Sequence, residues 1–174
     1  MHARTATLAL ALSVFASTSA HAGSKSVDEA TAQEKKEAGA TYANALADFD
    51  KNRFDEALAG FRESYGHVRS PNSHFMIART LAKLGRNAEA YTELDAVITE
   101  ADALGERYSD TTHAAREKRE EIRPRVALIT INVAHAKKGT MYSVAGDVVD
   151  PDRLGKPMAL LPGETKVVVT PPGG

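Results

Sequence analysis

The sequence predicts an α+β protein, with α-helical hairpins in the N-terminal part followed by a small antiparallel β-sandwich or meander. Three observations carry this. Apolar residues recur every three or four positions from residue 26 to about 123. The second pair of helical segments repeats the first at a constant offset. After Arg123-Pro124-Arg125 the spacing switches to apolar–polar alternation, the signature of a half-buried strand. A chain of 174 residues has room for two small units of this kind.

Residues 1–22 precede the fold. Arg4 and His2 form a short basic start, residues 8–15 an apolar run, and Ala20-His21-Ala22 a small-x-small cleavage pattern. The run is shorter than the roughly 20 apolar residues that a membrane-spanning helix needs. The expectation is a cleaved signal peptide, cut near Ala22-Gly23, and a mature chain without a transmembrane segment in the periplasm or outside the cell. The alternative for this run is a buried N-terminal helix.

Ser26-Val27-Asp28-Glu29 fits a capping box, so a first helix is expected from there to about Asp50, with Tyr42, Ala45, Leu46 and Phe49 on one face. The polar Asp50-Lys51-Asn52-Arg53 breaks it. Phe54, Ala57, Leu58, Phe61 and Tyr65 form the second apolar stripe, and residues 66–73 read as a loop. Ser70 before Pro71 reads as an N-cap followed by proline at the first helical position. Ile77, Ala78, Leu81 and Leu84 make the third stripe, closed by Gly85; Tyr91, Leu94, Val97, Ile98, Ala101 and Leu104 make the fourth. Asp110 is positioned to cap a fifth helix over residues 111–122, which carries a mixed-charge run from Arg116 to Glu121. Such a run is either a contact surface or the polar outer face of a capping helix, and the second is the simpler reading.

Asn52 aligns with Gly85, Ala57 with Ala90, Phe61 with Leu94, Tyr42 with Phe75 and Ala45 with Ala78, always 33 residues apart. A repeated helix–turn–helix of this length resembles the tetratricopeptide repeat. The second unit carries Ile77-Ala78, Leu81, Leu84-Gly85, Ala90 and Leu94 at that family's small and large positions. In the first unit Asp48 and Asn52 stand where a large apolar residue and glycine are usual. The resemblance implies an α-solenoid fragment over residues 23–123, whose first helices line a concave face that holds extended peptides or partner helices. On that face it places Tyr42, Leu46 and Asp50 from the first unit and Asn72, Phe75, Arg79 and Lys83 from the second. Arg79 and Lys83, four apart, share one side of a helix and make a clamp for a carboxylate. The competing reading is that they solvate a short two-repeat array.

Proline in Arg123-Pro124-Arg125 disfavours helix in the residue before it. Ile129, Ile131 and Val133 then alternate with Thr130 and Asn132. Lys137-Lys138-Gly139 is a turn, and residues 140–149 are expected to form one strand with Tyr142, Val144 and Val148 on one face. Asp150-Pro151-Asp152 turns again, residues 157–161 form a short edge-like stretch, and Pro162-Gly163 turns into a strand over residues 165–170. Residues 124–174 are similar to PEGA-type β-modules, through Gly155-Lys156-Pro157, Leu161-Pro162-Gly163-Glu164 and the strand at 166–169. The Pro-Glu-Gly-Ala string of that family is absent, with Ala136-Lys137-Lys138-Gly139 near its place. Since the chain ends in Pro171-Pro172-Gly173-Gly174, where a turn into one more strand is expected, the module reads as truncated or as having its open edge shielded by something else.

Composition narrows the function classes. The chain has 22 basic and 23 acidic residues, which argues against a dedicated nucleic-acid binder. With no cysteine it has no disulfide, thiol or Cys-zinc chemistry. Nucleotide-binding glycine loops, zinc-protease and serine-hydrolase motifs are missing. His67, His74, His113 and His135 lie on different expected elements and are read as surface residues, so no catalytic, cofactor or metal site is assigned. The expectation is an exported non-catalytic adaptor of the cell envelope with a protein or peptide partner. Its rivals are a β-module that binds a cell-wall polymer or surface polysaccharide on a helical spacer, and the front of a longer envelope protein with a C-terminal anchor or enzyme.

Overall fold

The structure, a computed structural model, describes residues 24–135 and 137–173. The segment read as a signal peptide and Ala136 lie outside the described residues. Within them the protein is mixed α and β, with five α-helices followed by short antiparallel strands.

The chain opens with β1 (Lys25–Ser26), and the first helix, α1 (Ala32–Asp50), starts later than the Ser26 motif predicts. Ser26 does receive Glu29: its backbone N–H and hydroxyl both donate to the Glu29 carboxylate. This closes only one turn, because Ser26 is held in an extended parallel bridge to Arg69. The capping box that starts the helix is Thr31 with Glu34. The Glu34 N–H donates to Thr31 Oγ1 at 3.2 Å, and the Thr31 N–H donates back to the Glu34 carboxylate at 2.8 Å.

Next come α2 (Phe54–His67), β2 (Val68–Arg69), α3 (Pro71–Lys83) and α4 (Asn87–Ala103). The expected loop at 66–73 is shorter than predicted. Gly66 and His67 stay helical, and Val68 is withdrawn from water against Ala30 and Ala38. The two hairpin turns are the same turn, displaced by 33 residues. Asn52 and Gly85 both take left-handed backbone, at φ 58° and 75°. The N–H of Arg53 reaches the Asp48 carbonyl and that of Arg86 the Leu81 carbonyl, each at 2.9 Å. Asparagine and glycine are the residues that accept this conformation, so the exchange between the two units conserves the turn.

The helices close around Phe61, Leu81, Leu94, Val97 and Ile122, all fully buried, with Ala57 and Ala90 completely withdrawn from water. The closest approach of α1 and α2 lies at Gly60, where an added Cβ would sit 2.8 Å from the Cβ of Ala45. A fifth helix, α5 (Ser109–Ile122), packs on α3 and α4 through Thr112, Ala115 and Ile122. It begins one residue before Asp110, whose carboxylate therefore lies in the first turn instead of capping it.

The β part comprises β3 (Ala127–Thr130), β4 (Met141–Val144), β5 (Asp147–Val148), β6 (Pro157–Leu160) and β7 (Val167–Thr170). The strands pair as β3–β6 and as β5–β4–β7, all antiparallel. Sequential partners meet only at β4–β5, so the order is not that of a meander. The single strand expected at 140–149 is a hairpin folded at Ala145-Gly146, both at positive φ (55° and 98°) as a two-residue type I′ turn requires. The fold-back separates Val148, which is 74% exposed, from the buried Tyr142 and Val144.

The β3–β6 pair has apolar contacts on both faces. Leu128 and Ala159, opposite each other in the register, pack against the helical core together with Val126. Ile129 and Met158, the next pair, turn to the other side and join Tyr142, Val144 and Val149 in a second cluster. The helices, the β3–β6 pair and the β4 sheet thus form successive layers.

Candidate functional site

The face expected to hold a partner is built from α1 and α3, and at its centre is Arg79. The Arg79 guanidinium lies over the rings of Phe49 and Phe75, at 5.4 and 5.7 Å from their centroids. One of its terminal nitrogens contacts the Met76 sulfur at 3.3 Å. It has no carboxylate partner among the described residues. Phe49 is anchored from behind by the edges of Phe54 and Phe61. A half-buried guanidinium held against two rings loses side-chain freedom, so it is preorganised for an incoming anion.

Tyr42 packs its ring 5.3 Å from that of Phe61. Burial raises its phenol above the ordinary tyrosine value, against the opposing pull of the Arg79 charge. Tyr42 also borders a cavity of about 270 Å³ between α1 and α3, together with Asn72, Val27, Lys35 and Ser73. Asn72 is fixed from the far side, where the Thr111 hydroxyl of α5 donates to its Oδ1 at 2.6 Å. Lys83 is exposed, and its charge acts on Glu121 of α5, whose carboxyl lies below the usual range chiefly through its bond to Lys118.

Of the seven residues assigned to this face, Phe75 and Arg79 come together with Phe49 through the guanidinium, while Tyr42 packs on Phe61 and shares the cavity with Asn72. Leu46, 37% exposed, and Asp50, also exposed, take part in neither arrangement. Phe49 is the residue that helical spacing placed on one face with Tyr42 without marking it as a contact.

His74 departs from the expectation of a surface histidine: only 7% of it is exposed. Its Nδ1 lies 2.7 Å from a Glu100 oxygen and its Nε2 2.7 Å from a Glu93 oxygen. Both nitrogens must donate, so the ring is an imidazolium. The ring of Tyr65 lies 4.7 Å away, and its hydroxyl donates to Glu100 at 3.0 Å. Burial opposes the charge on His74, but the bonds from Glu100 and Glu93, with their charges, outweigh it and raise the pKa to about 9. Because the two carboxylates approach opposite ring nitrogens, they do not converge on one metal-sized point. Among the described residues no group of His, Asp or Glu side chains is placed to hold a metal ion. The only signal in the sequence is that Glu93 and Glu100 fall on one side of α4; their common partner sits on another helix.

No helix among the described residues is long and apolar enough to cross a membrane. Compared with known proteins, the chain matches no family model, no curated protein and no solved structure.

Proposed function

We propose that the protein is an exported, non-catalytic adaptor. Its tetratricopeptide-like hairpins hold an extended peptide or partner helix in the cell envelope, with the β-rich part packed behind them as a small PEGA-like sandwich module. The observation that carries this reading is the Arg79 guanidinium, poised between Phe49 and Phe75 with no carboxylate partner among the described residues. A partner carboxylate supplies the missing counter-charge, and the half-exposed rings offer apolar contact beside it. The hairpins' common turn, repeated after 33 residues, supports the solenoid reading. The basic-then-apolar leader ending in Ala20-His21-Ala22 supports export.

The test uses the immobilised mature chain to capture a partner from envelope extract, with identification and rebinding of the purified partner. Arg79→Ala combined with Lys83→Ala is expected to weaken rebinding about tenfold or more, as loss of a charged hydrogen bond does. Rebinding at unchanged affinity removes this face from the function.

A further inference from the structure

A second concave surface lies where α4 and α5 meet the β3–β6 pair. It encloses about 430 Å³, within the range of small-ligand sites. Leu128 and Ala159 give it an apolar floor, the same residues that join the β part to the helical core. Three cations line it: Arg119 from α5, Arg153 from the 3₁₀ turn at Pro151–Arg153, and Lys156 from the turn before β6. Asp95 is the one acid in the lining, and it is bonded to Arg119 at 2.8 Å. Arg153 and Lys156 have no ion-pair partner among the described residues.

In a chain whose formal charge is −1, this cleft therefore holds a local excess of two positive charges. The apolar floor makes the excess effective, because low-dielectric walls focus the field and a ligand that displaces water there leaves fewer competitors for the cations. Thr92 and Thr99 on the rim spend their hydroxyl protons on backbone carbonyls of α4, leaving oxygen lone pairs that suit ligand hydroxyl groups.

We infer that this cleft is a binding site for a small anionic ligand, carboxylate or phosphate oxygens on a sugar-sized body, with Arg153 and Lys156 as its principal anchors. The ligand would touch α4, α5 and β6 at once and so tie the helical and β parts together. This site is independent of the α1/α3 face and of the partner proposed there.

The experiment titrates the mature chain, in separate arms, with inorganic phosphate and with glucuronate, following backbone amide resonances by two-dimensional NMR. Saturable shifts at Thr92, Thr99 and Lys156 with at least one anion are expected, and the arm that saturates tells which oxygen chemistry the cleft prefers. Arg153→Gln with Lys156→Gln is expected to weaken that binding about tenfold or more; both residues are exposed, so the variant keeps its fold. The single Lys156→Gln variant supplies the same comparison at smaller amplitude. Arg79→Ala with Lys83→Ala, on the other face, is expected to bind the anion unchanged. Absence of saturable shifts in both arms, or full binding by the Arg153/Lys156 variants, overturns the site.

Discussion

His74 and Glu100 meet at 2.7 Å in a setting where their side chains are only 9% and 15% exposed. Glu93 closes the other ring nitrogen from a wetter position, 37% exposed. A doubly bridged imidazolium ties α3 to α4 by charge beside their apolar contacts, and this makes the stability of the helical part depend on pH.

The sign follows from the folded value of about 9 against the ordinary 6.5. The stabilisation is fully present below about pH 6.5 and is lost as the pH rises through 9. Its upper limit is roughly 3 kcal/mol, from 1.4 kcal/mol per unit, and solvent at Glu93 trims it. Tyr65, whose phenol is raised to about 12 by burial and then by the Glu100 charge, adds a loss of the same sign only above pH 10. Urea unfolding between pH 6.5 and 9.5 therefore isolates His74. A His74→Gln variant should show a flat profile there; an unchanged slope would assign the effect to another group.

Gly60 and Gly39 should respond oppositely to alanine. In an open helical site the exchange stabilises by roughly 0.5–1 kcal/mol, and around Gly39 there is nothing within 4 Å of the added methyl group. At Gly60 the methyl group would lie 2.8 Å from the Ala45 Cβ, so α1 and α2 must separate. Overpacking of this kind costs about 1–3 kcal/mol. Thermal melts of the two variants should shift in opposite directions, and a raised Tm for Gly60→Ala would contradict the observed helix spacing.

The start of α1 is open to the same kind of comparison. Thr31→Ala removes the cap oxygen that receives the Glu34 N–H and should destabilise by about 1 kcal/mol. Ser26→Ala leaves its backbone N–H bond to Glu29 in place and should cost less. Amide exchange at Glu34 distinguishes them: protection should fall in the Thr31 variant and persist in the Ser26 variant.

The repeated turn yields a matched pair. Gly85→Ala places a Cβ at φ 75° and should cost about 1 kcal/mol. Asn52→Gly relieves a side chain already at φ 58° and should be neutral or slightly stabilising. Denaturant midpoints that move together in the two variants would show that the turns are not equivalent.

Helix breaks and turns were legible because their causes are local. Asn52 and Gly85 announce left-handed backbone, Pro71 announces a first helical turn, and Ala57, Phe61, Ala90 and Leu94 repeat a packing pattern within one stretch of chain. Two local signals pointed the wrong way. Ser26 with Glu29 and Thr31 with Glu34 carry the same capping grammar, and what separates them is the bridge from Ser26 to Arg69, more than forty positions along the chain. Residues 140–149 alternate like one strand, yet Ala145-Gly146 folds them into two, moving Val148 off the face it was expected to share. On the candidate face, the tetratricopeptide resemblance pointed to Tyr42, Phe75 and Arg79. It did not show that Phe49 supplies the second ring.

The sequence alone determined where helices begin to repeat, where they break and where strand spacing takes over, since apolar period and backbone preference act within a few residues. Tertiary structure decided how strands pair and which polar groups leave water. Leu128 and Ile129 are equally apolar neighbours, and only the pairing of β3 with β6 sends one to the helical core and the other to the β cluster. His74 is buried as a cation only because Glu93 and Glu100 arrive from another helix. A buried charge is tolerated when its counter-charges are supplied in place, and that supply comes from chain far away in sequence.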